Sequence, residues 1–268
     1  MSALDSLFVK LRAGDKKAFL PFVTAGDPDI GTTAAIIQAL AQCGADACEV
    51  GVPYSDPIAD GPVIQASYQR ALEGGFRLSH LFELGKGVSR GLSMPLITMV
   101  SYSIIHRTGI QRYVESAMQA GYCGAIVPDL LVEEAKPMAD ICRKADFSLI
   151  QLVTPTTPRE RQVQIAELSS GFLYFVSVTG ITGERSVMPT GLLENVAWLR
   201  EQTTLPICIG FGISSAATAA TLAPVADGVI VGSAIVKRIA AAKDRQTAVT
   251  DVTAFAKDII KAIESPGR

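Results

Sequence analysis

The chain has 268 residues, 49% of them hydrophobic and 19% charged, and its 24 Lys and Arg against 26 Asp and Glu leave a formal net charge of −2. A chain of this size and composition builds a well-buried globular core, and the slight acidity argues against nucleic acid or an anionic membrane as the main partner. The N-terminus, MSALDSLFVKLRAGDKK, carries Asp5 early and has no long apolar run or small-residue cleavage site, so no signal peptide is expected. Nor does any stretch approach the uninterrupted apolar length of a membrane span, and the expectation is a cytoplasmic protein. Cys43, Cys48, Cys123, Cys142 and Cys208 are scattered without a C-x-x-C pair and read as reduced, buried small hydrophobes.

Leu4, Leu7, Phe8 and Leu11 recur at helical spacing, which predicts a short amphipathic helix ended by Gly14. Ala18–Thr24 is an apolar run of strand length, closed by Ala25-Gly26-Asp27-Pro28, and Ile30–Cys43 is a helix stopped by Gly44. Further strands are expected at Ala47–Val52, Pro95–Val100, Gly124–Pro128, Ser148–Val153, Phe172–Val178, Pro206–Gly210 and Asp227–Val231. Helical stretches fall between them at Gly109–Ala120, Val132–Arg143, Arg159–Leu168, Leu192–Glu201 and Ser214–Leu222, with Gln246–Glu264 last. Continuous apolar runs suit buried parallel strands. Eight strands, each followed by a helix, fit a TIM (β/α)8 barrel spanning 1–268 as one domain better than an open doubly wound sheet. Extra helices are expected at the N-terminus, after the second strand (Val63–Leu72 and Leu78–Ser89) and after the eighth. The connections after the second and sixth strands are long, the latter reading TGITGERSVMPTG with Gly180, Gly183 and Gly191 as hinges. In a barrel both lie on the C-terminal face, where active sites are built.

The stretch ACEVGVPYSDPIADGPVIQ, residues 47–65, concentrates the chemistry. On a strand, Ala47, Glu49 and Gly51 share one face, so Glu49 is a carboxylate flanked by very small residues. Burying it raises its pKa unless something compensates. The Pro-rich loop that follows carries Asp56 and Asp60, and two carboxylates in unlike environments are raw material for acid and base roles. Asp-Pro and Asp-Gly are also ordinary turn pairs, and Glu49 is equally compatible with a solvated face, so both readings stand on this stretch alone.

Two glycine-rich turns support a phosphate site. Gly210-Phe211-Gly212-Ile213-Ser214 follows the seventh strand, and Gly232-Ser233-Ala234 opens a short helix after the eighth, the two places where TIM barrels bind phosphate. The alternative is that these glycines simply make tight turns. No lysine is well placed for an imine, the two histidines, His80 and His106, are far apart in sequence, and no Walker loop or strand-linked G-x-G-x-x-G fingerprint is present. Cofactor-free acid–base chemistry on a small phosphorylated substrate remains.

Taken together, PFVTAGDPD at 21–29, EVGVPYSDPIADGPVIQ at 49–65, VPDLLVEEA at 127–135, FVSVTGITGER at 175–185, GFGISS at 210–215 and VGSAIVKRI at 231–239 resemble the tryptophan synthase alpha chain family over essentially the whole chain. The resemblance implies a TIM barrel that cleaves indole-3-glycerol phosphate to indole and glyceraldehyde 3-phosphate, a step in L-tryptophan biosynthesis. It also implies a beta-chain partner, in an alpha2-beta2 type of complex, that receives the indole and holds pyridoxal phosphate, while this chain holds no metal or cofactor. By the same resemblance Glu49 is the general acid/base and Asp60 stabilises the positively charged indole tautomer and stays ionised. Gly183, Gly212, Gly232 and Ser233 bind the phosphate, Thr182 meets Asp60, and Phe22, Ile64, Tyr102, Val127, Tyr174 and Phe211 line the indole pocket or serve as core. Two departures fall near the partner-facing rim: Tyr102-Ser103-Ile104-Ile105 lacks the family's usual Asn, and Asp129-Leu130-Leu131 replaces Asp-Leu-Pro. A stand-alone indole-releasing lyase, a mainly allosteric binding subunit and a phosphosugar isomerase are the competing readings.

Overall fold

The computed structural model describes residues 1–58, 60–176, 191–210 and 212–264. The strands are β1 (Ala18–Thr24), β2 (Cys48–Gly51), β3 (Leu96–Met99), β4 (Tyr122–Ile126), β5 (Ser148–Ile150), β6 (Leu152–Val153), β7 (Leu173–Val176), β8 (Ile207–Gly210) and β9 (Gly228–Val231). All described pairings are parallel, in the order β5-β4-β3-β2-β1-β9-β8-β7-β6. β5 and β6 are the two halves of the expected fifth strand, divided at Gln151. The first half pairs with β4 and the second with β7, so the chain running through Gln151 closes the ring into a barrel. The change of partner breaks the ladder at Gln151, whose buried amide turns away to Ser169 Oγ at 3.3 Å.

Helices cover the outside. They are α1 (Ala3–Ala13), α2 (Ile30–Gln42), α3 (Pro62–Glu73), α4 (Leu78–Ser89), α5 (Tyr102–Thr108), α6 (Ile110–Gln119), α7 (Val132–Lys144), α8 (Arg159–Leu168), α9 (Leu192–Gln202), α10 (Ala216–Leu222), α11 (Ser233–Ala241) and α12 (Arg245–Glu264). None of the described helices is long and apolar enough to cross a membrane. α5 is a helix where the sequence suggests only a loop: the Asp129 carboxylate accepts the Tyr102 N–H at 2.7 Å and the Ser101 hydroxyl at 2.6 Å, capping its first turn from a distant loop. β4 begins at Tyr122, two residues before the expected Gly124, because Gly121 at φ 90° ends the preceding helix early.

The alternation expected along β2 is present. Cys48, Val50 and Val52 pack outward with the helices, and Ala47 packs inward with Leu20, Ile97, Ile126, Ile150, Cys208 and Ile230. Leu4, Phe8 and Leu11 of α1 join that inner cluster, and the Phe8 and Phe172 rings stand 5.8 Å apart. α1 therefore seals the N-terminal end of the barrel, leaving the C-terminal end for the site. Removing the seal's largest side chain, in Phe8→Ala, is expected to lower stability by about 3–5 kcal/mol. Urea unfolding checks the loss, and activity below the unfolding transition should be retained because the site lies at the other end.

Candidate active site

Glu49 lies on the inward face of β2, in register with Phe22 of β1 and Ile97 of β3. It is 0% exposed, and neither carboxylate oxygen has a hydrogen-bond partner among the described residues. Burial alone raises its pKa well above the usual carboxylate range, which favours the protonated form. A solvated-face reading of Glu49 is thereby ruled out. Gly51, next on the same face, lies beneath the Phe22 ring and near the Tyr68 hydroxyl, where a Cβ would collide with both. Small residues on either side of Glu49 leave room for the ring that forms the cleft floor.

Asp60 reaches the same cleft from the loop after β2. The loop is held to α3 by Gln65, whose side-chain amide donates to the carbonyls of Pro57 at 3.2 Å and Asp60 at 2.8 Å. α3 is in turn fixed to the end of β1 in two places. Arg70 forms a two-pronged ion pair with buried Asp27 at 2.7 and 2.8 Å, and the Ser67 and Thr24 hydroxyls meet at 2.7 Å. Asp60 receives no hydrogen bond to its carboxylate from a described residue. Burial, and then the nearby Asp129 carboxylate, push its pKa up to about 6. A carboxyl group of that pKa is ionised mainly above about pH 6 and protonated mainly below it.

The cleft encloses about 840 Å³ of space, counting the solvent at its mouth. Phe22, Glu49, Asp60, Ile64, Tyr174, Gly212, Gly232 and Ser233 all line it. Tyr174 lays its hydroxyl over Gly210, and its phenol is kept protonated by burial first and by Glu49 and Asp60 next. Tyr102 and Val127 are not brought to it. Val127 packs outward among the helices, and Tyr102 sits at the rim with its ring 5.9 Å from His106. Thr182, Gly183 and Phe211 lie outside the described residues. Ile213, Ser214 and Ala234 of the two glycine-rich turns line the cleft as well, and so do Met99, Val63, Ile230 and Lys237, which the sequence does not single out. Of these, Met99 and Ile230 were findable from strand alternation, whereas Lys237 reads locally as an ordinary helix-surface residue.

The wall opposite Glu49 is the start of α11. Gly232 is its cap and Ser233 its first residue, so its leading N–H groups have no earlier turn to bond and face the cleft end that Gly212 and Ser214 share. Among the described residues no three His, Cys, Asp or Glu side chains are grouped as a metal would require.

A family model described as tryptophan synthase alpha chain matches residues 8–264. The chain belongs to the tryptophan synthase alpha chain family. It is 66% identical over 248 residues to the tryptophan synthase alpha chain of Rhodopirellula baltica, covering 91% of this chain and 89% of that one. Its fold superposes on tryptophan synthase subunit alpha from Legionella pneumophila with a TM-score of 0.90 at 33% identity, covering 98% and 99% of the two chains. A chain of tryptophan synthase from M. tuberculosis matches with a TM-score of 0.87 at 29% identity, covering 98% and 100%. The tryptophan synthase alpha chain is a carbon–carbon lyase, and as a TIM barrel it keeps its chemistry at the strands' C-terminal ends, where Glu49 and the cleft are found.

The buried acid has a measurable consequence for stability. In the unfolded chain Glu49 ionises near its ordinary value of 4.5, while in the folded chain its pKa is raised well above that. The stability linked to its protonated form is thus complete below the unfolded pKa and falls by about 1.4 kcal/mol per pH unit above it, until the folded group itself ionises. Glu49→Gln escapes this loss, so its stability relative to the parent should grow between about pH 5 and about pH 8. Equilibrium unfolding at both values checks this, and a difference that does not change with pH would contradict it.

Proposed function

We propose that the chain cleaves indole-3-glycerol phosphate to indole and glyceraldehyde 3-phosphate through Glu49 and Asp60, with the phosphate held by Gly212, Gly232 and Ser233. The carrying observation is the buried, unpartnered carboxyl of Glu49 facing the same cleft as Asp60 and the glycine-serine wall. The glycine turns supply the N–H groups that a phosphate takes up. Gly183 and Thr182 are assigned to the phosphate and to Asp60 by the family likeness alone.

Glu49 gives its proton to indole C3, which converts the ring to a positively charged tautomer able to accept electrons. Asp60, ionised, accepts the indole N–H and offsets the positive charge. Glu49, now a carboxylate, takes the proton of the hydroxyl on the carbon attached to C3. That carbon's bond to C3 breaks, its oxygen becomes the aldehyde of glyceraldehyde 3-phosphate, and the bonding pair returns to the indole ring. Protons and electrons balance with no metal and no cofactor in this chain. The acid must be neutral before reaction and basic after it, which a carboxyl of raised pKa serves better than an ordinary one.

A beta chain containing pyridoxal phosphate is the proposed acceptor of the indole, in an alpha2-beta2 type of assembly. The barrel rim supports a docking reading: Ile58 of the Asp60 loop is 92% exposed and Leu131 of the Asp129 loop 56% exposed, and these loops approach closely enough for Asp129 to influence Asp60.

Indole release by the purified chain, measured with and without the beta chain, tests the assignment. Glu49→Gln should lower kcat by about 10³-fold and Asp60→Asn by about 10²-fold. Because Asp60 has a pKa of about 6, activity should fall as pH drops through that value, and Asp60→Asn should remove that limb of the profile. Full activity in Glu49→Gln would sink the assignment. Rapid release without a partner would favour a stand-alone lyase.

A further inference from the structure

The cleft is chemically lopsided. Glu49 and Asp60 supply carboxyl groups at one end, with Asp129 near enough to act on Asp60, while Gly212, Ser214, Gly232, Ser233 and Lys237 make up the other. Among the described residues Lys237 is the only cationic side chain that lines it. Its position follows from the helix. Lys237 is one turn beyond Ser233 on α11, so the two share a face, and helical side chains lean toward the N-terminus. Ala234 and Val236 beside it are buried, while Lys237 is exposed and lines the cleft.

A phosphorylated substrate brings up to two negative charges into a cleft that already holds two carboxyl groups. Glycine N–H groups and a serine hydroxyl meet those charges with dipoles only, and an ammonium group is the complement the remaining charge calls for. We infer that Lys237 is a substrate-binding residue: its ammonium pairs with the substrate phosphate at the first turn of α11 and sets the cleft's preference for phosphorylated over unphosphorylated ligands. The inference rests on the cleavage reading above and deepens it. Lys237 has no part in proton transfer, since the strand order β2-β1-β9 separates Glu49 from the start of α11 by two strand spacings, roughly 10 Å.

Steady-state indole release by the full chain saturated with the beta chain compares the parent with Lys237→Gln and Lys237→Arg. Lys237→Gln should raise KM for indole-3-glycerol phosphate by about 10-fold with kcat changed less than about twofold. It should weaken competitive inhibition by inorganic phosphate in parallel and flatten the salt dependence of kcat/KM. Lys237→Arg should recover most of the affinity, and urea midpoints should match the parent. Unchanged KM and phosphate inhibition in Lys237→Gln overturns the proposal, as does a loss confined to kcat, which would mark structural support of α11. Should the parent itself release no indole, the cleavage reading fails. Calorimetric titration of parent and Lys237→Gln with inorganic phosphate then decides the role of Lys237 separately, equal affinities overturning it.

Discussion

The constraint on which the site depends is a carboxyl group buried with no hydrogen-bond partner among the described residues. Around it the inner cluster of the barrel is built mainly of apolar side chains, among them Ala47, Ile97, Ile126, Ile150 and Ile230. A hydrophobic side chain in place of Glu49 would remove an unsatisfied polar group and stabilise the fold. The chain keeps Glu49, and burial without a hydrogen-bond partner among the described residues favours its protonated form. A donor to the carboxylate would favour the ionised form and lower the pKa, leaving a base where the proposed cleavage uses an acid first. The small neighbours Ala47 and Gly51 belong to the same solution, because Gly51 gives Phe22 room to lie across the strand as an apolar floor.

Asp60 needs the opposite treatment, and its support comes through α3. The loop hangs from Gln65, and α3 is pinned to the end of β1 by the Arg70–Asp27 pair and the Ser67–Thr24 contact. Asp27 is almost wholly buried, so losing Arg70 would strand a charge in the core. The pair's contribution is therefore positional, fixing α3 and with it Ile64 and the loop over the cleft. Two hard-to-move points, Thr24 at the end of β1 and Asp27 in the turn that follows, serve both carboxylates, since β1 also carries Phe22, in register with Glu49.

Much of this architecture is legible in the chain because it is local. The small-Glu-small pattern of 47–51 marks Glu49 as a carboxylate that is either buried or on a solvated face, and apolar runs separated by helical periodicity announce a barrel. What escapes local reading depends on distant partners. SLIQLV reads as one strand, and only ring closure makes Gln151 the point where the hydrogen-bonding neighbour changes. YSIIHRT gives little sign of a helix because part of its cap comes from Asp129, 27 residues beyond Tyr102. Burial first and then that same Asp129 raise Asp60, so the acidity of one loop depends in part on another. Val127 and Tyr102 show the limit from the other side: an apolar or aromatic residue near a strand end is compatible with pocket or core until the face it presents is known.

The separation of the cleft's two ends follows from incompatible electrostatic demands. Glu49 needs an apolar surround without positive charge, and a phosphate needs donors and positive charge. At an effective dielectric of about 20, a unit charge at about 4 Å from the carboxylate is worth about 4 kcal/mol, enough to lower its pKa by about three units and discharge the acid. At roughly 10 Å the same charge is worth about 1.7 kcal/mol, little more than one unit, and a bound phosphate of opposite sign offsets it. Two strand spacings of the barrel provide that distance, from Glu49 on β2 across Phe22 on β1 to the start of α11 after β9. A three-carbon chain between an aromatic ring and a phosphate spans a gap of this order. On the proposed cleavage reading, the barrel geometry thus favours the protonated form of Glu49 and matches the length of the substrate.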